Sequence, residues 1–438
     1  MAKYLAGIAA LVMLFAQCKH DIINQEDHEL SILLGEKERF ILPDENDLAA
    51  IPQSAANPLT KEKVELGNLL FFEPAFANEA KLHEQRFTFT CSSCHVPESG
   101  FRPGRMQGIA DGGYGFGLNG EKRIKYPLYH PDSIDAQGAR PLATLNVAFV
   151  ENTMWNGSFG SDGANQGTES LWGVFDPGTA ANHLRIGALE GQNIEGLKVH
   201  RMNYTKEIIE AAGYKHLFDR AFPEMPESER YSRTAASFAI SAYLRQLITN
   251  QAPFQKWLKG DYAAMTEQQK KGAILFFGKA GCNGCHYEKN LGSMRFEALG
   301  VDDLFEHGGL KTSIEDRRNL GRGGFTNRPE DMFRFRTPQL YNLGDSGPYF
   351  HGGSKETLED VIRYFNNGIA ENKRVPQSQL SYFIKPLGLS DKEMADLTEF
   401  VRNGLRDPNL NRYVPEQVLS GMCFPNNDPV SKLDMKCY

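Results

Sequence analysis

Two short stretches, Cys91-Ser92-Ser93-Cys94-His95 and Cys282-Asn283-Gly284-Cys285-His286, share the spacing CxxCH. Two thiols at that separation can add to both vinyl groups of one porphyrin, and the adjacent histidine then reaches the iron as an axial ligand. A redox CxxC or half of a zinc site would place two cysteines in the same way. Two copies, each followed directly by histidine in a chain of seven cysteines, point instead to covalent attachment at both. The expected cofactors are therefore two covalently bound haem c groups. Cys91, Cys94, Cys282 and Cys285 would attach them, and His95 and His286 would be the metal ligands.

A chain of 438 residues is long enough for two or three domains, and 41% hydrophobic with 24% charged residues is an ordinary globular balance. A formal charge of −7 argues against nucleic acid as a partner and favours a basic donor protein. Near the N-terminus Lys3 precedes an apolar run, Tyr4–Phe15, too short to span a bilayer and shaped like the core of a signal peptide. Cys18 follows it, as the lipidated cysteine of a bacterial lipoprotein would, although Gln17 is larger than the residue usual before such a cysteine. The alternative is that Cys18 is part of a cleaved signal. Export to the periplasm, with a lipid tether through Cys18, is the expected location. In that oxidising compartment Cys423 and Cys437 are expected to form a disulfide closing a Pro/Asn-rich tail.

Residues 19–50 are polar and without period, and read as a linker. At 57–74 a helix capped by Thr60 ends in Leu70-Phe71-Phe72; at 265–286 a helix capped by Thr266 ends in Leu275-Phe276-Phe277. A capped helix ending in Leu-Phe-Phe ahead of each CxxCH is an internal repeat. Gly-, Asn- and Asp-rich loops fill 104–187, and loops return at 290–333. Helical spacing marks 206–222, 232–257, 358–366 and 391–405. The expected fold is mainly α: two cytochrome c-like helical haem domains with long loops. The segments are a signal peptide at 1–17, a lipid-attached linker at 18–55, a first haem domain at 56–228, a second at 229–410, and a tail at 411–438.

Placed this way, the two motifs resemble the bacterial dihaem cytochrome c peroxidase family, which also contains the dihaem enzyme that matures methylamine dehydrogenase. The landmarks are LGNLLFFEP (66–74), CSSCH, LATLNVAF (142–149), MWNGS (154–158), CNGCH, FRTPQLYNL (335–343) and PYFHGGS (348–354). The resemblance runs from about Asn57 to about Asn403. It implies that the His95 haem meets hydrogen peroxide and the His286 haem accepts electrons from a donor. A peroxidase needs an open iron face and an acid/base group beside it. The resemblance assigns that role to Glu195, with a glutamine nearby that is either Gln166 or Gln192. His200, five residues on, could share the Glu195 pocket. Trp155 matches a tryptophan between the haems that relays electrons. His351 matches a histidine at the haem interface, expected to bond a propionate or to pack there.

Three positions depart from the pattern. Phe365 stands where the family has a methionine or tyrosine ligand to the second haem. Either Tyr364, Met332 or Met294 replaces it, or that face is open. No histidine lies between His95 and His130, so the first haem lacks an early loop histidine, and His130 is a late candidate. Arg140 stands where the family has the asparagine of a calcium site completed by two carbonyls, here Ser346 and Pro348. A guanidinium has no acceptor atom, so Arg140 is expected to replace the calcium charge and donate to those carbonyls.

The implied function is reduction of hydrogen peroxide to water, with electrons from a small cytochrome c or cupredoxin. One alternative is a dihaem oxidase that directs peroxide-derived high-valent iron at a protein or small organic substrate. Another is a dihaem electron carrier. The family's dimers imply a homodimer.

Overall fold

The computed structural model describes residues 24–437. The apolar run Tyr4–Phe15 and Cys18, with the signal peptide and lipid tether read from them, lie outside the described residues. No helix among the described residues is long and apolar enough to cross a membrane. Helix is the main secondary structure. Strand pairing in named strands is confined to two short antiparallel ladders, Gly113–Tyr114 with Ile124–Lys125 and Phe296–Glu297 with Phe335–Arg336.

The internal repeat is realised in three dimensions. Thr60 and Thr266 cap the helices Lys61–Phe72 and Glu267–Phe277, each accepting from the backbone N–H three residues on, which satisfies one of the unpaired donors of the first turn. Each helix carries a glycine four residues before its first terminal phenylalanine pair member. Gly67 lies against the helix Arg233–Gln246, where a Cβ would fall 1.9 Å from Ala239 O; Gly272 lies against Asp391–Glu399, where it would fall 2.1 Å from Asp396 O. Only glycine admits backbones that close. The crossings bring Phe71 to 6.5 Å from the His95 ring and Phe276 to 6.2 Å from His286, at interplanar angles of 49° and 51°.

A second pair of equivalences joins loop to helix end. Asn146 and Asn342 are both left-handed, at φ 56° and 57°. Asn146 N donates to Leu247 O and Asn342 N to Leu405 O; their side chains then bind the backbone or hydroxyl groups of Thr249 and Asp407 respectively.

Two large hydrophobic clusters result, with Cys91 and Cys94 packed against one and Cys282 against the other. Leu247 belongs to the first cluster and Ile248 to the second, and the helix Arg233–Gln246 before them packs on Lys61–Phe72.

The chain ends cross over. Where the composition reads as a linker within 18–55, Gln25–Leu34 is a helix capped by Asn24, and Leu30, Leu34, Phe40 and Leu42 are buried in the second cluster. Its polar look has a specific origin: Asp27 is buried to accept from Trp257 Nε1 at 2.6 Å and to pair with Lys270 Nζ at 2.7 Å. The tail returns to the first cluster through Leu410, Tyr413 and Val418. Cys423 and Cys437 are joined in a disulfide, as expected. Inside the loop it closes, Pro425 O accepts from Thr90 Oγ1 and Ser93 Oγ, and Asn426 Oδ1 also accepts from Ser93 Oγ. Asp428 forms a buried pair with Arg123. The tail is thus built onto the CSSCH turn.

Candidate functional site

The two CxxCH segments are the same object twice. Cys91–Ser93 and Cys282–Gly284 are single 3-10 turns, and the histidine N–H closes each one onto the first cysteine's carbonyl, at 3.1 and 3.0 Å. His95 Nδ1 donates to Phe101 O at 3.1 Å and His286 Nδ1 to Leu291 O at 2.7 Å. Those bonds fix the tautomer and leave each Nε2 free for a metal. Phe101 and Leu291 both hold left-handed backbone, φ 55° and 52°, a strained state for side chains of their size that aims the carbonyl at the imidazole. Sequence reading missed this pair, although each sits five or six residues beyond its histidine.

The chemistry of these groups fits haem. None of the four CxxCH cysteines is tied up in a disulfide. Burial pushes Cys91, Cys94 and Cys282 up to about 12 and Cys285 to about 11, and pulls His95 and His286 down to about 4, so the imidazoles are neutral. Among the described residues no group of three or more His, Cys, Asp or Glu side chains converges as a zinc cage would. His95 and His286 are each half-buried.

Trp155, Arg140 and His351 are joined in one bonded chain. Trp155 Nε1 donates to Arg140 O at 2.6 Å, and Arg140 N donates to His351 O at 2.7 Å. The indole meets His351 and Phe335 edge-on, with centroids 6.2 and 6.4 Å away, and His351 stacks on Phe335 at 3.6 Å. His351 Nε2 bonds buried Asp303 at 2.8 Å, so that nitrogen is not directed at a propionate; Asp303 also accepts from Arg374 and Asn372. Arg140 is 1% exposed, and its Nη2 donates to Ser346 O at 2.7 Å, Gly347 O at 2.9 Å and Pro103 O at 3.2 Å. The expectation of carbonyl donation holds for Ser346; the second acceptor is Gly347 in place of Pro348.

Glu195 and Gln192 lie three residues apart on the helix Ala188–Val199, both half-buried on one face. The Glu195 carboxylate lies 3.5 Å from Lys198 Nζ. Gln166 is exposed on a separate turn. His200 ends the helix. Its Nδ1 donates to buried Asp135 at 2.7 Å, and its side chain keeps 39% of its surface accessible. His200 is also close enough to act electrostatically on His95. His130 is at the surface.

Of the replacements for Phe365, Tyr364 donates its hydroxyl to Leu299 O, and Met332 packs on Gly323. Met294 follows Ser293, whose hydroxyl donates to Cys285 O at 2.7 Å. The Phe365 ring is itself half-buried beside Phe350.

Comparison with known proteins agrees with this geometry. The family model for di-haem cytochrome c peroxidase matches residues 61–263. The methylamine utilization protein MauG of Methylorubrum extorquens is 30% identical over 376 residues, 85% of each chain. The cytochrome-c peroxidase IdrP1 of Denitromonas iodatirespirans is 29% identical, over 81% of this chain and 84% of that one. A crystal structure of a MauG-like protein associated with microbial copper homeostasis superposes with a TM-score of 0.56 at 25% identity, covering 84% of this chain and 94% of the other.

Proposed function

Because the chain belongs to the di-haem cytochrome c peroxidase family, we propose that it is a dihaem enzyme that reduces hydrogen peroxide to water, with two electrons from a small cytochrome c or cupredoxin. The observation that carries this reading is the pair of matching CxxCH mounts, each with its histidine Nδ1 bonded to a main-chain carbonyl; the bonded chain of Trp155, Arg140 and His351 would lie between the haems. Bound at these mounts, haem supplies iron for O–O cleavage at His95 and electron storage at His286.

The chain's own residues supply the rest. Donation from Nδ1 to Phe101 O and Leu291 O raises the basicity of each axial nitrogen. Reducing one peroxide to two waters takes two electrons and two protons, and one proton must reach the departing oxygen. Glu195, with Gln192 on its face, is the carboxylate proposed for that transfer. His200 adds a second proton-carrying group, its Nδ1 held by Asp135 and its Nε2 free. The carbonyl that accepts from the Trp155 indole is too weak a base to take its proton, so Trp155 is suited to pass electrons with its N–H intact. The protein would work in the periplasm, tethered through Cys18, as a homodimer.

A second reading is favoured by Phe365. With no methionine at that position and Tyr364 bonded to Leu299, the second site departs from a donor-fed peroxidase, and the oxidising equivalents of peroxide would go to a protein or organic substrate. The test is the electron paramagnetic resonance spectrum of the resting ferric protein before and after one equivalent of peroxide, followed by reduced cytochrome c. Prompt oxidation of two cytochromes per peroxide supports the first reading. A high-spin signal that is lost and stays lost despite the donor supports the second. Spectra indifferent to peroxide in both the oxidised and half-reduced states would leave an electron carrier.

A further inference from the structure

Three buried guanidinium groups lie within electrostatic reach of one another, and among the described residues none forms an ion pair with a carboxylate. Arg102, Arg140 and Arg336 are 3%, 1% and 6% exposed. The only ionisable groups acting on them are one another and the Tyr349 phenol. Arg102 Nε and Arg140 Nε have no hydrogen-bond partner among the described residues. Arg140 Nη2 and Arg336 reach backbone carbonyls alone, the latter those of Met154 and Thr337. Burial pulls Arg102 down to about 10; burial, with repulsion from Arg102, pulls Arg336 down to about 10 and Arg140 well below its ordinary value.

Carbonyl dipoles do not offset the desolvation of three like charges; buried cations are sustained by anions. The position of the cluster says which anions. Arg102 directly follows Phe101, whose carbonyl holds His95. Arg336 lies two residues before Pro338, whose carbonyl faces His286. Arg140 donates to the carbonyl of Pro103, next to Arg102, and its own carbonyl accepts from the Trp155 indole, while Trp155 O accepts from Arg336 N at 2.7 Å. The cluster therefore connects the mounts of both axial histidines.

Resting on the two-haem reading, we infer that Arg102, Arg140 and Arg336 form one anion site that binds propionate carboxylates of both haems, with the Arg140 guanidinium as a fixed cation between them. Guanidinium groups suit carboxylates through paired, charge-assisted bonds. A shared cation cluster ties the two haems electrostatically, since a positive charge near either iron favours its ferrous state. It also leaves no donor set for a divalent cation at Arg140, because the carbonyls of Ser346 and Gly347 already accept from it.

The experiment is spectroelectrochemistry of the purified holoprotein and of Arg102→Gln, Arg336→Gln and Arg102→Lys, with haem counted per chain and metal content measured before and after chelation. The expected result has two haems per chain throughout. Both reduction potentials fall in each Gln variant and become more pH-dependent as propionates lose their cation, while Arg102→Lys stays near wild type. Potentials unchanged in both Gln variants, or a shift confined to one haem in each, would overturn the shared site. Stoichiometric calcium whose removal alters the potentials would overturn the role given to Arg140. A wild-type protein without covalent haem would sink the two-haem reading itself, an outcome the haem count separates from the others.

Discussion

Trp155 Nε1 donates to the main-chain carbonyl of Arg140 at 2.6 Å, so the indole proposed as the relay is fixed by backbone and not by a side chain that could rotate away. Trp155→Phe removes that bond and the relay while keeping an aromatic ring. Turnover of peroxide is expected to fall on the order of tenfold or more, a barrier change of at least ~1.4 kcal/mol, with haem content unchanged. Stopped-flow mixing with peroxide and reduced donor checks it; a variant as fast as wild type rules out the relay.

His200 gives a pH signature. Burial opposes its charge, but the Asp135 carboxylate outweighs burial and raises its pKa above the ordinary histidine value. A raised folded-state pKa stabilises the protein in full below the unfolded value of roughly 6.5, and that contribution is lost as pH rises through the folded value. Melting temperatures of wild type and His200→Gln are therefore expected to differ most near pH 6 and to converge by pH 9. A gap that widens with pH would refute the assignment.

The glycine crossings predict matched damage in the two halves. In Gly67→Ala or Gly272→Ala the new methyl meets a backbone oxygen, which cannot rotate aside, so the helices must separate. Each substitution is expected to cost about 1–3 kcal/mol, as overpacking does, measured by urea denaturation. Stability unchanged in either variant would mean that its crossing is looser than described.

Asp27 tests whether the early segment belongs to the second core. Asp27→Ala leaves the buried Lys270 ammonium without its partner and removes the acceptor of Trp257. Breaking a buried pair from one side costs about 3–5 kcal/mol. A loss below ~1 kcal/mol would return residues 25–34 to the status of a linker.

The sequence made the mounts legible because covalent attachment demands fixed spacing, and the capped helices ending in Leu-Phe-Phe because capping and periodicity are local. It misread residues 18–55, since their polar composition includes a buried Asp27 whose partners, Trp257 and Lys270, are more than 200 positions away. Phe101 and Leu291 were invisible for a different reason: a left-handed phenylalanine or leucine has no signature in its own type. Arg102 and Arg336 carried no site signal in the sequence, because burial without a counter-charge is a property of the assembled interior. Arg140 was legible, but only as a departure from a pattern.

The tail that packs on the CSSCH turn also sets an order of events. Asn426, which accepts from Ser93, is made 333 residues later in the chain, so during synthesis and export the Cys91–Cys94 pair stands uncovered for a long interval. Once residues 423–437 arrive, four thiols near one another compete for the same oxidant. If Cys423 and Cys437 close first, the cover settles over an empty mount; if a tail cysteine captures Cys91 or Cys94, the mount is lost. On the two-haem reading, attachment at Cys91 and Cys94 would have to precede the settling of residues 423–437 on that turn.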